Sequence, residues 1–426
     1  MLQIVYEAKK YVQRIGSFSR NARLYLVAII LQGLSSGIWG VIFYLYLNLP
    51  EIGFQPDFIG NMFTANAIAT GLIALPVGLL CERIGAKRAM LVSQISSLVS
   101  LVQIVTLQSP ILLLTSLATG LIGTIGWVAS MPFMTENSQQ KERTYLFSLS
   151  WAMMTIMGVI GSFVGGIMPN MLNTALGLPT GGEIGSATGY RITLVIAIAL
   201  ALAATGPLLL IKESKTIQRQ KVGTLLSLKN IKSPSTIIKF MIPTGIIGFG
   251  AGFIVPLFNL FFRLKFAATD EQVGTIFALG NVTLGIFTII APMLANKIGK
   301  VKAVVVCQYL SMPFIMLITL APNLALATGA YLVRGAFMNM AGPVSSTLQM
   351  EMVAHSERAT TSGLMVMADM IPRAVTASIS GAMMTINDFY TPFLFTTANY
   401  FVASSLYFVF FRKAERLPPI KTRVSQ

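Results

Sequence analysis

The fold is decided by the stretch Gly78-Leu79-Leu80-Cys81-Glu82-Arg83-Ile84-Gly85-Ala86-Lys87-Arg88. A long apolar run ends at this short cationic turn, and a second apolar run begins directly after it. The glycines of the turn permit a sharp reversal and close helix packing. Its cations suit the cytoplasmic side of a membrane, where Lys and Arg are enriched. The stretch therefore predicts a hairpin between two membrane helices.

This turn has a weaker copy in the second half of the chain, Pro292-Met293-Leu294-Ala295-Asn296-Lys297-Ile298-Gly299-Lys300-Val301-Lys302. The copies lie 214 residues apart (78 to 292), and at that offset Gly85 also meets Gly299. The repeat predicts two halves in parallel orientation, related by an axis along the membrane normal. The substrate is then expected to bind between the halves, near the bilayer midplane.

Composition predicts the fold class. Hydrophobic residues make up 54% of the 426 positions and charged residues only 11%, which excludes a soluble globular chain. A spanning helix needs about 20 mainly apolar residues, so a dozen spans use nearly the whole length. We therefore predict an all-α polytopic membrane protein with twelve transmembrane helices in two six-helix halves. The predicted spans are 24–48, 59–81, 89–108, 111–135, 145–168, 190–211, 238–262, 273–295, 302–321, 323–349, 360–385 and 389–411.

The predicted domains are an N-terminal half over 1–211, a basic cytoplasmic linker over 212–237 and a C-terminal half over 238–426. All but five of the 31 lysines and arginines fall in the termini and in alternate loops on one side of these spans. This positive-inside pattern predicts a multi-pass protein of the cell (inner) membrane with both termini in the cytoplasm. Anionic lipid headgroups are the expected partners of these cations, and nucleic acid is not.

The loop residues of the first turn resemble the signature loop between helices 2 and 3 of the major facilitator superfamily, whose members are membrane transporters. The residues that carry the resemblance are Gly78, Glu82, Arg83, Gly85, Lys87 and Arg88. Glu82 stands where the family more often has Asp, and Ala86 stands where it usually has a cation. The resemblance implies transport by alternating access, and it names no substrate.

In that family such loop residues hold the cytoplasmic gate closed, and here Glu136 and Arg143 are expected to join them in a charge network. The alternative is that these charges only set the topology. In the second copy of the turn, Asn296 replaces the carboxylate. Its lysines are therefore expected to set topology without a partner inside the loop.

Three ionisable residues fall inside the predicted spans: Arg334 in span 10, and Asp369 and Arg373 in span 11. A charge in the bilayer costs about 2.5–3.5 kcal/mol on insertion scales, which makes each a candidate for function. Asp369 and Arg373 are four residues apart and share one helical face, so they can pair. Arg334 would then share that carboxylate or meet an anionic ligand.

Two readings of these residues stay open. In one, Asp369 is a protonatable switch, and Arg334 or Arg373 tunes its pKa or binds a substrate anion. In the other, the charges form a permanent ion pair that locks spans 10 and 11 together. The surplus of one positive charge favours an anionic or amphiphilic substrate.

Neutral side chains at the depth of the expected cavity are further candidates for its lining, although each also suits plain packing. They are Gln32, Asn66, Trp127, Asn281 and Asn339. A second resemblance lies in span 5, where Gly158, Gly161, Ser162, Gly165 and Gly166 are similar to the glycine-rich motif of antiporters in the superfamily. Small residues at this spacing also serve close helix packing.

Several chemistries find no support in the sequence. The single histidine, His355, has no second ligand at metal spacing, so no metal is expected. No nucleotide-binding loop occurs, and no nucleophile, base and orienting group share a membrane depth. We therefore expect no cofactor and no enzymatic activity.

The function that these observations favour is secondary active transport, with proton-coupled export (antiport, efflux) of small amphiphilic or organic-anionic compounds. One alternative is proton-coupled uptake of a nutrient anion. Another is a lipid-translocating protein or a non-transporting sensor on the same fold. One chain supplies both halves, so a monomer is expected to suffice.

Overall fold

The computed structural model describes residues 18–179, 186–212, 233–354 and 357–413, and within them the chain is helical without strands. The basic N-terminus, most of the predicted linker, His355 and the C-terminal tail lie outside the described residues. So do the side chains of Glu82, Arg83 and Arg143 and the surroundings of Gly78.

The described residues form twelve helical rods, numbered here in chain order. They are α1 (Arg20–Leu47), α2 (Pro56–Ile84), α3 (Ala86–Thr106), α4 (Ser109–Glu136), α5 (Gln140–Ala175), α6 (Ala187–Leu210), α7 (Pro234–Phe266), α8 (Asp270–Ile298), α9 (Lys300–Leu320), α10 (Leu324–Met352), α11 (Arg358–Thr385) and α12 (Thr391–Phe411). α3 is interrupted at Gln94 and α6 at Ala204, and α7 contains a 3₁₀ turn at Val255–Leu257.

These rods confirm the twelve predicted helices in two sets of six. In the described part of the chain, eight are long and apolar enough by themselves to cross a membrane. The other four, α2, α8, α10 and α11, pack closely on neighbouring helices. The largest difference in length is in α5, which continues through Pro169 to Ala175, whereas the sequence predicted its end at 168.

Both predicted hairpins are present, and a single glycine forms each connection. Gly85 lies between α2 and α3 with φ 85°, and Gly299 lies between α8 and α9 with φ 93°. Each glycine N–H donates to the carbonyl four residues back, at 3.0 Å to Cys81 and 2.9 Å to Ala295. Because this backbone conformation is nearly restricted to glycine, the two turns have one structural cause.

The two halves meet along two pairs of helices. α2 packs on α11, and α5 packs on α8, as expected for halves related by a pseudo-twofold axis. Glycines allow these approaches: a Cβ on Gly166 of α5 would lie 2.9 Å from the Cα of Gly274 on α8. The glycine-rich stretch of α5 thus serves close packing, with Gly161 and Gly165 against α1 and Gly166 against α8.

The buried apolar residues form one shared cluster and two separate ones. We call the side of the molecule with the α2–α3 and α8–α9 turns the basic face, and the opposite side the outer face. The shared cluster contains residues of both halves, such as Leu45, Tyr190, Phe258 and Phe393, all near the outer face. Near the basic face each half has its own cluster. The halves are therefore joined by a common core only toward the outer face.

Candidate functional site

The ion pair predicted within α11 is present. Nη2 of Arg373 donates to both carboxylate oxygens of Asp369, at 2.7 and 2.8 Å. The two side chains keep 16% and 21% of their surface exposed. On the other side, Gly248 of α7 packs directly on the backbone of Asp369. Since the pair lies within one helix, it does not itself tie α10 to α11.

Arg334 of α10 does not share the carboxylate of Asp369. Its Nη2 donates to the hydroxyl of Tyr400 at 3.0 Å, and its guanidinium carbon lies 5.7 Å from the ring centre of Phe258. Arg334 is 6% exposed, and its Nε makes no hydrogen bond. Among the described residues it has no carboxylate partner. A buried cation held only by rings and a hydroxyl is suited to meet an anionic group.

A cavity of about 390 Å³ lies inside the N-terminal half. Residues of α1, α3, α4, α5 and α6 line it. Its polar lining is neutral: Gln32, Gln94, Ser35, Ser36, Ser93, Ser96, Ser97, Ser100, Ser130 and Ser150. All three tryptophans of the chain line it as well, Trp39, Trp127 and Trp151. No Asp, Glu, Lys, Arg or His is among the described residues that line it.

Of the predicted cavity residues, the structure brings Gln32 and Trp127 to this cavity and leaves three elsewhere. Asn66 joins α2 to α4 by donating to Ser116 O and Thr119 Oγ1, both at 3.2 Å. Asn339 is exposed and donates to a carbonyl of its own helix. Asn281 is half-buried on α8. The serines of α3 were not predicted, although their spacing at 93, 96, 97 and 100 marks one helical face.

The predicted charge network at the basic face is described only in part. Lys87 Nζ donates to the carbonyls of Leu209 (3.0 Å) and Ile211 (2.6 Å), where a cation is favourable at the end of α6. Arg88 and Glu136 are exposed. With the remaining members outside the described residues, the gating role of the network stays a prediction.

In the second copy of the turn, Lys300 pairs with a carboxylate that lies outside the loop. Its Nζ contacts both carboxylate oxygens of Glu351, at 2.5 Å. The partner comes from the end of α10 and not from the loop, which is why the local sequence did not reveal it. The pair is exposed, with 35% and 47% of the two side chains accessible, so its contribution to stability is small.

The structure also shows a buried polar cluster at the outer face that the sequence analysis missed. Arg263 of α7 forms an ion pair with Asp270 of α8, and the hydroxyl of Tyr190 on α6 donates to the same carboxylate. Asp270 is fully buried and Arg263 is 6% exposed. Tyr190 belongs to the N-terminal half and the other two to the C-terminal half. The cluster therefore joins the halves, and we call it the outer latch.

Further hydrogen bonds between the halves also lie toward the outer face. Asn259 Nδ2 donates to Val41 O at 3.2 Å, and Thr64 Oγ1 donates to Ala374 O at 2.5 Å. Together with the shared apolar cluster, they close the outer side of the space between the halves.

Comparison with known proteins gives a family and a fold. The family model described as Major Facilitator Superfamily matches residues 25–242 and 240–426. A comparison with curated protein sequences finds no match.

Solved structures similar to this chain are transporters. The nucleoside transporter NupG is 15% identical, with a TM-score of 0.74, and the match covers 92% of this chain and 100% of NupG. A bacterial homologue of the human lysosomal transporter Spinster, in an inward-facing and unoccupied conformation, is 14% identical. Its TM-score is 0.74, and the match covers 94% of this chain and 99% of that one. At these identities the likeness concerns the fold.

Proposed function

The chain belongs to the major facilitator superfamily, and on that premise we propose that it is a proton-coupled exporter of small amphiphilic or organic-anionic compounds, working by alternating access. Membership of the family and the transporter fold make it a multi-pass membrane transporter. Direction, coupling to protons and substrate are the content of the proposal. A monomer in the cell (inner) membrane, with both termini in the cytoplasm, is the proposed form.

The observation that carries the proposal is the pair of Asp369 and Arg373. Both side chains are partly exposed, so a proton can reach the carboxylate. Protonation of Asp369 would remove one charge from α11 and release the guanidinium of Arg373. A released cation in a membrane helix needs a new acceptor, because leaving it unpaired is costly. An anionic substrate that became this acceptor would bind together with the proton, as in the uptake alternative. A substrate that donates hydrogen bonds to the unprotonated carboxylate would instead compete with the proton, as export by antiport requires.

The composition of the N-terminal cavity supports an amphiphilic substrate. Tryptophans and methionines give it apolar surface, and serines and glutamines give it hydrogen-bonding groups. Small-molecule sites commonly combine these features in volumes of about 300–1,000 Å³. The resemblance of the α5 glycines to the antiporter motif supports export, and Arg334 supports an acidic group on some substrates.

The proposed transport cycle starts from the conformation of this structure. The halves are joined at the outer face, and we assign the basic face to the cytoplasm by the positive-inside rule. The structure then corresponds to an inward-facing state, the conformation in which the similar Spinster homologue was solved. To reach the opposite state, the outer latch must open and the α2–α11 and α5–α8 contacts must shift.

One specific observation favours a second function, proton-coupled uptake of a nutrient anion. Arg334 is buried without a carboxylate among the described residues, which suits direct binding of an anionic substrate. Two other functions, lipid translocation and a non-transporting sensor role, are compatible with the fold and require no role for Asp369, Arg373 or Arg334. A flux of labelled lipid, or no flux of any solute, would distinguish these two.

The test is proton movement in proteoliposomes that contain the purified protein and an internal pH indicator. A panel of organic anions, uncharged aromatic compounds, lipophilic cations and sugars is added, and Asp369→Asn is compared with wild type. Glu271→Gln is the matched control, because it replaces an exposed carboxylate in the first turn of α8. We expect substrate-dependent proton movement in wild type and the control and none in Asp369→Asn.

Unchanged proton movement in Asp369→Asn would reduce the pair to a structural contact. Proton movement into the liposomes together with an accumulating anion would favour the uptake alternative. Wild-type protein that moves no protons with any solute would remove the proton-coupled proposal.

A further inference from the structure

The N-terminal cavity presents polar groups of one kind, and this restricts what it can bind. No Asp, Glu, Lys, Arg or His lies among its described lining residues. A charged group that left water for this cavity would lose its hydration without meeting an opposite charge, which costs several kcal/mol or more. The lining therefore selects against ions and favours an uncharged ligand.

Most serine hydroxyls of the cavity donate to backbone carbonyls of their own helices. Ser93 donates to Met90 O at 2.7 Å, Ser96 to Ser93 O at 2.7 Å, and Ser100 to Ser96 O at 3.0 Å. On the facing helix α4, Ser130 donates to a carbonyl of its own helix in the same way. A hydroxyl that donates backward in this manner keeps its oxygen lone pairs as acceptors. These serines thus offer acceptors, and a ligand that meets them should bring donors.

Gln94 presents an amide group to the cavity. It lies at the break between the two parts of α3, is 7% exposed, and its side-chain amide makes no hydrogen bond within the described residues. The amide is therefore available to a ligand in the cavity. An amide carries a donor and an acceptor side by side, which matches the edge of a nitrogen heterocycle that also carries both.

Two tryptophans add a surface for a flat ligand. The rings of Trp127 and Trp151 lie edge to face with centroids 5.3 Å apart. They are 55% and 48% exposed, so both keep accessible ring surface beside the cavity. Aromatic rings gain about 0.5–1.5 kcal/mol from such contacts beyond the burial of their area.

We infer that this cavity binds an uncharged, flat nitrogen heterocycle that carries hydroxyl or N–H donors. The inference rests on the proposed function and names the substrate class within it: the amphiphilic substrates, not the organic anions. Gln94 is assigned the edge of the heterocycle, the serine oxygens its donors, and the Trp127–Trp151 pair its face.

The experiment uses the full chain in detergent without any gradient and follows its intrinsic tryptophan fluorescence. All three tryptophans line the cavity, so the emission reports on this cavity and on no other part of the chain. Adenosine is the probe, and AMP differs from it by a charged phosphate. Excitation at the red edge of the tryptophan band avoids absorption by either compound. We expect adenosine to cause a saturable change in fluorescence. AMP should bind with an affinity at least about tenfold lower.

Gln94→Ala should weaken adenosine binding by about tenfold, since it removes the amide that meets the heterocycle. Gln103→Ala is the matched control, because Gln103 lies on the same helix, is 3% exposed and bonds to Ser116 outside the cavity. Should Gln94→Ala fail to fold, the comparison of adenosine with AMP on the wild type still decides.

Equal affinity for AMP and adenosine would overturn the inference, and so would tight binding by folded Gln94→Ala. A change with benzoate or tetraphenylphosphonium but none with adenosine would also overturn it. The outcomes separate this inference from the proposed function. If adenosine binds but never moves protons in proteoliposomes, proton-coupled export fails and the site stands. If organic anions move protons and adenosine does not bind, the site fails and export stands.

Discussion

The hydroxyl of Tyr190 on α6 donates a hydrogen bond to the carboxylate of Asp270 on α8, and this bond crosses from one half of the transporter to the other. Asp270 is fully buried and also forms an ion pair with Arg263. A hydrogen bond to a charged group contributes about 1.5–3 kcal/mol, so this contact is among the stronger ones that hold the outer face closed.

Loss of the Tyr190 hydroxyl should therefore open the outer face more often. We expect Tyr190→Phe, which keeps the ring, to raise the labelling rate of a cysteine placed at the buried Val41 by about tenfold. The measurement uses a membrane-impermeant maleimide added from the outer side. The buried native cysteines, Cys81 and Cys307, are replaced by serine beforehand.

The control for this experiment is Glu271→Gln, because Glu271 is the exposed neighbour of Asp270 in the same helical turn. It should leave the labelling rate unchanged. Equal labelling of Tyr190→Phe and wild type would show that the hydrogen bond does not contribute to closure.

A methyl group at the α5–α8 contact should act in the same direction. Gly166→Ala would place a Cβ 2.9 Å from the Cα of Gly274, which is too close for a contact between a Cβ and a backbone atom. We expect the outer-closed state to lose population, measured with the same Val41→Cys reporter. Gly158→Ala on the same helix is the matched control, since nothing lies within 4 Å of its Cβ. Similar labelling of the two variants would contradict the prediction.

The two glycine turns should respond to substitution in the same way. At φ 85° and 93°, an alanine at Gly85 or Gly299 is strained by about 1–3 kcal/mol. Each variant should lower the unfolding temperature in detergent, by similar amounts, and the double variant should show the sum because the turns lie in different halves. Gly329→Ala, with nothing within 4 Å of its Cβ, should leave the temperature nearly unchanged. A large effect at one turn only would show that their equivalence is superficial.

Removal of the buried cation should separate stability from transport. Arg334→Met leaves an apolar side chain where a cation now lies without a carboxylate among the described residues. Replacing a buried charge by a hydrophobic residue is often neutral or stabilising, so the unfolding temperature should be kept or raised. Transport of organic anions in proteoliposomes should fall by about tenfold or more.

Arg412→Met, at an exposed position after α12, is the control for this loss of charge. If Arg334→Met unfolds at a lower temperature and still transports anions, Arg334 is a structural residue held by Tyr400 and Phe258.

The sequence was sufficient for features that depend on neighbours along the chain. The hairpins at Gly85 and Gly299 follow from glycine between two apolar runs, and the pairing of Asp369 with Arg373 follows from helical spacing. In both cases the interacting groups are a few residues apart, so one helix or one turn brings them together.

Features that depend on distant contacts were missed. Asp270 follows the N-cap residue Thr269, whose hydroxyl accepts from Gln272 N at 3.3 Å. An acid in the first turn after such a cap usually faces water, as Glu271 beside it does. The packing of α5, α6 and α7 around this helix start buries Asp270. The pairing of Lys300 with Glu351 likewise joins the starts and ends of different helices.

The cavity was also beyond local reasoning, for another reason. The spacing of the serines in α3 shows that they share a face, but a membrane helix has lipid, protein and cavity as neighbours. The positions of α1 and α4 decide whether the serine face of α3 meets lipid, protein or the cavity. Gln94 shows the same limit, because its unpaired amide becomes meaningful only once its burial is known.

The apolar cores of this transporter, one common to both halves and one private to each, have a consequence for its assembly. Polypeptide continuity is not what keeps the halves in register, because the common core and the outer latch already do so through noncovalent contacts. Two fragments made as separate chains, divided within the segment between α6 and α7, should find each other in the membrane. A gene split at that point would still encode a working pair.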